Sequence, residues 1–211
     1  MESCPMFDLV KTNNLSPEIL GTKMGKLVRE LFILRPEQVN ISVYGSFKHV
    51  TNKYELQIAF LKGIFNLTEK SMLEQDPFRI GNSTGIKFVE EFAKTPYSYT
   101  AKISLFNEKE SIEVVTYKND IGKLLISEIN GFNFNISENN PTILVRNKNS
   151  CKFLAFITSL CSDYEINIIK IQSSPQKINN IMVIELDKLP SLKVIERINN
   201  NPYVYKTIII N

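Results

Sequence analysis

The chain has 211 residues, enough for one large domain or two small ones and too many for a disulfide-stapled miniprotein. Hydrophobic residues make up 43% and charged residues 22% of it, which excludes a largely disordered protein. The net charge of +3 comes from scattered lysines and does not predict a nucleic-acid-binding protein, because those proteins cluster their positive charge.

Cysteine and histidine are scarce, which limits the chemistry that this chain can supply by itself. Cys4, Cys151 and Cys161 show no CxxC spacing, so we expect no disulfide framework, no metal site and no iron–sulfur cluster on this chain. His49 is the only histidine, which excludes any site that needs two imidazoles. Apolar runs are far shorter than the ~20 residues of a membrane span, and the first residues do not form a signal peptide. We therefore expect a cytoplasmic protein that binds neither membrane nor nucleic acid.

The first elements alternate between helix and strand. Ser16-Pro17-Glu18 favours a helix start, with a capping serine and a proline in the first turn, and Arg35-Pro36 ends that helix. The alternation from Val39 to Val43 predicts a strand that runs into Gly45-Ser46-Phe47. A second helix is predicted from apolar residues at helical spacing: Leu56, Ala59, Phe60, Gly63 and Ile64.

The next stretch turns to strands. Ser71 to Pro77 is typical of a loop, and the apolar residues from Gly85 to Lys94 predict a short helix. Three strands are expected after it: Tyr99–Phe106, Glu113–Tyr117 and Leu124–Ile129. Asn130-Gly131 indicates a hairpin turn before the alternating Phe132, Phe134 and Ile136.

A linker around Ser137 to Pro141 precedes a second series of elements in the order βαββαβ, the ferredoxin-like unit. Its predicted elements are Thr142–Arg146, Phe153–Tyr164, Ile166–Ile171, Ile181–Leu186, Pro190–Asn200 and Val204–Ile210. We therefore expect an α/β (α+β) protein with two domains, residues 1–138 and 141–211.

Several short motifs, in order and at close spacing, resemble the beta subunit of bacterial iron–sulfur-dependent L-serine dehydratase (L-serine ammonia-lyase). The motifs that carry the resemblance are Phe7-Asp8-Leu9-Val10, Val43-Tyr44-Gly45-Ser46-Phe47, Glu128-Ile129-Asn130-Gly131-Phe132, Pro141-Thr142-Ile143-Leu144-Val145 and Glu165-Ile166-Asn167-Ile168. The resemblance implies an allosteric-substrate-binding-like domain followed by an ACT domain, a small amino-acid-sensing module. It also implies a separate alpha chain that supplies a [4Fe-4S] cluster, and elimination of water from L-serine to give pyruvate and ammonia.

The departures from this family fall where its polar motifs lie. The family's Gly-His-Gly-Thr-Asp becomes Lys53–Gln57, its His-Pro-Asn-Thr-Ala becomes Tyr97–Ala101, and its Ser-Ile-Gly-Gly-Gly becomes Lys118–Gly122. Its Gly-Pro-Ser-Ser-Ser-His-Thr run is lost in the region 13–22, and its Asp-Arg-Pro-Gly ligand loop becomes Asn149–Lys152. Because the apolar frame is kept while these motifs change, we predict that the chain has lost much or all of its share of an active site.

Only weak candidates remain for site residues. His49 and Tyr54 are the candidates for catalysis, although a loop histidine without a role is the simpler interpretation and a tyrosine of pKa ~10 is a poor base at neutral pH. Gly45, Ser46 and Phe47 are candidates for substrate binding, against a strand-end turn with a core phenylalanine. The resemblance places an ACT ligand loop at Asn149, Ser150 and Asn167, with Lys152 intruding, and no residue is predicted to bind a metal.

Two classes of function stay open at this point. The chain is either a beta-type subunit that is active only with its alpha-type partner, or a non-catalytic regulatory or scaffold protein with an amino-acid-sensing or dimerisation module. In both cases we expect a homodimer or a heterodimer, because an exposed sheet edge favours pairing.

Overall fold

A computed structural model describes residues 6–7, 16–67, 85–91, 97–120, 122–134, 136, 139–174 and 180–211. The described part of the chain holds two β-sheets and four α-helices, which confirms the mixed α/β class. Contacts divide the chain into two compact units: Lys11–Asn133, here called the first unit, and Met1–Val10 with Phe134–Asn211, here called the second unit.

The first unit combines two helices with a six-stranded sheet. Its elements are α1 (Pro17–Leu31), β2 (Gln38–Gly45), a 3-10 helix (Ser46–His49), α2 (Lys53–Phe65), β3 (Gly85–Glu90), β4 (Tyr99–Phe106), β5 (Ser111–Lys118), β6 (Leu124–Ile129) and β7 (Phe132–Asn133). The strand order is β3-β2-β4-β5-β6-β7, in which β2 and β3 are parallel and every other pair is antiparallel.

Local sequence explains where the helices begin and how they pack. Ser16 caps α1, since its Oγ accepts from the Ile19 N–H at 3.4 Å, and Asn52 caps α2 in the same way through the Glu55 N–H. The two helices approach closely at Gly25 and Gly63. A Cβ on either glycine would collide with backbone of the opposite helix, so only glycine permits this packing.

The helix predicted over Gly85–Lys94 is wrong in its described part, because Gly85–Glu90 is the edge strand β3. Ile86 and Phe88 pair with Val39 and Ile41 of β2, so the apolar residues follow the period of two that a strand requires. The run is too short for helical periodicity to be distinguished from alternation, and pairing with β2 decided the outcome. The loop predicted at Ser71–Pro77 lies outside the described residues.

The second unit has the predicted βαββαβ order and one additional strand. Its elements are β1 (Met6–Phe7), β8 (Thr142–Asn147), α3 (Cys151–Asp163), β9 (Ile168–Ser173), β10 (Asn180–Leu186), α4 (Leu192–Asn199) and β11 (Val204–Ile210). The strand order is β1-β11-β8-β10-β9, with β1 parallel to β11 and the other pairs antiparallel. Apolar side chains of both helices form a single core with one face of the sheet.

The pairing of the N-terminal strand β1 places it in the second unit, whereas the predicted boundary places it in the first domain. Residues 1–138 are predicted as one domain, whereas Met6 and Phe7 pair with Ile209 and Ile210 of the second unit. A strand of two residues is too short to show a periodic pattern, so the sequence pattern alone does not predict this pairing. The boundaries 1–138 and 141–211 stay a prediction.

Candidate functional site

Three of the segments that depart from the resembled family meet or adjoin at one end of the first unit's sheet. In register, Gly45 at the end of β2 lies beside Tyr99 at the start of β4, and Tyr99 lies beside Lys118 at the end of β5. The Lys118–Gly122 turn follows there, and α2 begins four residues after His49. This end of the sheet, called the sheet end below, is therefore the place where a site in this unit would form.

Gly45 at the sheet end has a structural reason to be glycine. Its φ is +64°, and a Cβ would come far too close to the carbonyl oxygen of Ser98. The N–H of the next residue, Ser46, donates to the same carbonyl at 2.5 Å. The Gly45-Ser46 turn thus joins the start of β4 to the end of β2.

Phe47 belongs to the core. Its side chain is fully buried, and its ring centroid lies 5.7 Å from that of Phe60 and 5.0 Å from that of Tyr99. Gly45, Ser46 and Phe47 therefore have the geometry of a strand-end turn with a core phenylalanine. Their role in binding a substrate stays a prediction.

Neither candidate for catalysis near the start of α2 lies in an enclosed site, and the neighbouring Lys53 is paired. The Lys53 ammonium is 2.8 Å from Glu90 Oε1 and donates to the Lys48 carbonyl at 2.7 Å, so its charge is already balanced. Tyr54 is 56% exposed on the outside of the helix, and His49 is exposed on the 3-10 helix. Neither side chain is enclosed as a general acid or base usually is.

The Lys118–Gly122 turn is held by its own hydrogen bonds. The Asn119 N–H donates to the Lys123 carbonyl, the Gly122 N–H donates to the Asn119 carbonyl, and Asn119 Oδ1 accepts from the Lys123 N–H at 2.7 Å. The Lys118 ammonium lies 5.4 Å from the centre of the Tyr99 ring, within range of a cation–π interaction. Asn119 Nδ2 is buried and has no acceptor among the described residues.

A polar cluster that joins β2 to the residue after β3 was not predicted from the sequence. Glu91 accepts from Ser42 Oγ at 2.7 Å and from the Tyr44 hydroxyl at 2.9 Å. These two hydrogen bonds lower the pKa of Glu91, while burial and the bond to Glu91 raise the pKa of Tyr44 to about 12. The signal for the cluster was the alternation of Ser42 and Tyr44 with the apolar residues of β2.

The predicted ACT ligand loop begins α3 in the second unit. Ser150 is the N-cap residue, because its Oγ accepts from the Lys152 N–H at 3.2 Å. Asn149, Cys151 and Lys152 are exposed. Ser150 therefore has a capping role in the fold, and a role in ligand binding stays a prediction.

Asn167 is not brought together with Asn149 and Ser150. β10 pairs Leu186 with Ile168 and Glu185 with Thr142, so Asn167 lies at the end where β8 starts, whereas Asn149 follows the end of β8. The Asn167 amide group and backbone N–H both donate to the Asp187 carboxylate, at 2.8 and 2.9 Å. These bonds lower the pKa of Asp187 and join the residue before β9 to the residue after β10.

The buried polar network of the second unit was also not predicted. Asn180 is fully buried, donates to Asn147 Oδ1 at 3.0 Å and accepts from the hydroxyls of Ser173 and Ser174 at 3.0 Å each. Ser174 Oγ in turn accepts from the Ile181 N–H. Buried polar groups that are mutually bonded in this way stabilise one arrangement of the strand ends.

The two cysteines among the described residues do not fit an iron–sulfur cluster. Cys151 and Cys161 lie on the same helix, ten residues or about 15 Å of helical rise apart, with Cys151 exposed and Cys161 buried. Burial raises the pKa of the Cys161 thiol, which disfavours the thiolate that binds iron. No group of three or more His, Cys, Asp or Glu side chains suited to a metal occurs among the residues that the structure describes.

Within the described ranges, no helix is both long and apolar enough to cross a membrane.

Comparison with known proteins yields one informative relative. No family model matches the chain. The chain is 25% identical over 207 residues to the probable L-serine dehydratase beta chain of Bacillus subtilis (strain 168), a match that covers 94% of both sequences. This similarity supports the resemblance to serine dehydratase beta chains over nearly the whole length.

Solved structures add little. The C-terminal domain of the MgtC protein from Mycobacterium tuberculosis is 18% identical, covers 35% of this chain and 90% of its own, and has a TM-score of 0.27. A homoserine dehydrogenase from Thiobacillus denitrificans is 11% identical, covers 53% of this chain and 42% of its own, and has a TM-score of 0.26. Neither score bears on the fold.

Proposed function

We propose that this chain is the beta-type subunit of an iron–sulfur L-serine dehydratase and works with a separate alpha-type chain. The observation that carries the proposal is the end-to-end similarity to a serine dehydratase beta chain, which covers 94% of both sequences. The reaction would convert L-serine to pyruvate and ammonia. The [4Fe-4S] cluster, which would supply a Lewis acid, would belong to the alpha-type chain, because the two described cysteines of this chain do not fit one.

We further propose that this chain contributes little or nothing to the chemical step. Lys53 is engaged by Glu90 at the start of α2, where the resembled family has a Gly-His-Gly-Thr-Asp motif. Gly45 and Phe47, which are kept, serve a turn and the core. The residues at the sheet end thus maintain a folded surface and leave proton transfer to the partner.

The second unit is proposed to be an ACT-type module. Its βαββαβ order and its strand order β11-β8-β10-β9 support this assignment. The Lys152 side chain and the separation of Asn167 from Asn149 argue for weak amino-acid binding, so the module would serve mainly in regulation or assembly.

Anaerobic reconstitution with the alpha chain of the Bacillus subtilis enzyme tests the proposal. We expect the two chains to copurify, and we expect serine-dependent pyruvate formation only when both are present. Pyruvate is measured with lactate dehydrogenase, and threonine and alanine serve as substrate controls. A pair that forms no complex refutes the subunit role, and a complex without pyruvate supports the regulatory or scaffold alternative.

Substitutions separate a catalytic from a supporting role. His49→Ala and Tyr54→Phe, which change two exposed side chains, should leave the rate of the reconstituted pair within about twofold of the unmodified pair. A fall of about a hundredfold with the complex intact would show that this chain takes part in the chemical step.

A further inference from the structure

Two tyrosine rings at the sheet end lie face to face in close contact. The ring centroids of Tyr97 and Tyr117 are 3.7 Å apart, and the ring planes differ by 18°. By comparison, Phe47 and Tyr99 form an edge contact with centroids 5.0 Å apart. Aromatic pairs in proteins prefer offset or edge arrangements with centroids about 4.5–7 Å apart, so the tyrosine stack is closer than the usual range.

The backbone holds both tyrosines in this position. Tyr117 lies on β5, and the register places it beside Thr100 of β4, three residues after Tyr97. The carbonyl of Ser98, the residue after Tyr97, accepts from the Ser46 N–H, which anchors the segment before β4 to the end of β2. Strand register and this anchor, rather than the preference of the rings, therefore set the close stack.

The two phenol groups differ in their access to solvent. Tyr97 is half-buried, so a soluble oxidant can reach it, whereas Tyr117 is only 9% exposed and has the Tyr97 ring against its face. Contact between the rings lets an oxidised Tyr97 take an electron from Tyr117 and then be oxidised a second time. Oxidation that begins at the accessible ring can thus reach both.

We propose that Tyr97 and Tyr117 are a site of oxidative cross-linking within one chain, at which a peroxidase with hydrogen peroxide forms dityrosine. Each phenol loses one electron and its hydroxyl proton, and the unpaired electron spreads to the ring carbons beside the oxygen. In the stack these carbons lie near van der Waals contact whichever way the hydroxyl groups point, so a carbon–carbon bond forms between the rings. The hydrogens on the two bonded carbons move as protons to the oxygens, which restores both phenols. Hydrogen peroxide accepts the two electrons and two protons and becomes two molecules of water.

The cross-link locks the sheet end. It joins the segment before β4 covalently to the end of β5, within the first unit. A covalent bond that closes a loop stabilises a fold mainly by restricting the unfolded chain. The urea concentration at the midpoint of unfolding should therefore be higher for the oxidised chain than for the untreated chain.

The test is oxidation of the full chain by a plant peroxidase and hydrogen peroxide at low protein concentration. We expect a product with the fluorescence of dityrosine and the mass of one chain, 24.2 kDa, less two hydrogen atoms. Trypsin should release one cross-linked pair of peptides from it, residues 95–102 joined to residues 110–118.

Two variants with the same chemical change separate this site from other tyrosines. Tyr97→Phe keeps an aromatic ring in the stack but removes the phenol, so it should abolish the product linked within one chain. Tyr54→Phe changes a tyrosine that is 56% exposed on α2 and should leave the yield of that product unchanged. Circular dichroism shows whether each variant is folded, and Tyr117→Phe, which should behave as Tyr97→Phe does, is the second variant for the site.

Three results would overturn the proposal. The first is an unmodified chain that gives no cross-link, or only links between different chains. The second is an equal yield of the product from Tyr97→Phe, which would assign the link to Tyr99 in the same peptide. The third is a loss of the product with Tyr54→Phe, which would place the reactive phenol on α2.

Discussion

The candidate site residues and the changed family motifs are arranged differently in the two units. In the first unit, the end of β2, the start of β4 and the turn after β5 are neighbours at one sheet end. In the second unit, Asn149 and Asn167 lie at opposite ends of the sheet. Spacing along the chain identifies the candidate positions, but only strand register shows which of them meet.

The residues that took structural roles also differ between the units. At the sheet end of the first unit, backbone conformation and aromatic packing dominate, through Gly45 and Phe47. In the second unit, the corresponding stabilisation comes from the buried amides and hydroxyls around Asn180. Substitutions that target each type of contact separate these contributions.

The largest effect is expected from Gly45→Ala in the first unit. The positive φ and the collision with the Ser98 carbonyl should together cost about 3 kcal/mol of unfolding free energy. Gly131→Ala is the control, because its φ is also positive but nothing lies within 4 Å of the added Cβ, so it should cost only about 1 kcal/mol. Urea unfolding measures both, and equal losses would show that the close approach to Ser98 is unimportant.

A smaller loss is expected from Asn180→Ala in the second unit. Removal of the amide leaves polar groups of Asn147, Ser173 and Ser174 without their bonds, which should cost about 1–3 kcal/mol. Asn167→Ala removes an exposed amide bonded to Asp187 and should cost less than about 1 kcal/mol. If urea unfolding shows the same loss of unfolding free energy for both variants, the buried network stabilises the fold no more than the exposed hydrogen bond does.

The smallest effect is expected on the stability of the fold at acid pH, to which each unit contributes through one carboxylate. Hydrogen bonds lower the folded-state pKa of Glu91 in the first unit and of Asp187 in the second. Each group therefore stabilises the fold above its ordinary carboxyl pKa, and that contribution is lost as pH falls through the lowered value. Glu91→Gln and Asp187→Asn should each flatten the fall of stability below about pH 4.5, and the double variant should add the two effects. Unchanged slopes in acid titrations of stability would contradict this assignment.

Much of the fold was predictable from hydrophobic pattern. The bounds of β4, β6 and β11 agree to the residue with the predicted Tyr99–Phe106, Leu124–Ile129 and Val204–Ile210, since each is a strand of six or more residues rich in apolar and β-branched side chains. The strand β3 was mistaken for a helix because its pairing with β2, over 40 residues away in sequence, overrides a short ambiguous pattern. The strand β1 was missed because two residues carry no period.

The candidate site was less predictable than the fold. The sequence identified Gly45 and Phe47 as notable residues, but their neighbours Ser98, Phe60 and Tyr99 come from segments that only the strand register brings close. The cluster of Glu91, Ser42 and Tyr44 and the network around Asn180 were missed for the same reason. Polar residues within strands are expected at the surface, and their mutual hydrogen bonds depend on long-range pairing.

The most direct test of the account is sedimentation of the unmodified chain mixed anaerobically with the alpha chain of the Bacillus subtilis enzyme. If this chain is a beta-type subunit, the two should sediment together as a complex of defined mass that contains both. Separate sedimentation of the two chains at every mixing ratio would contradict the subunit role, and with it the proposed function.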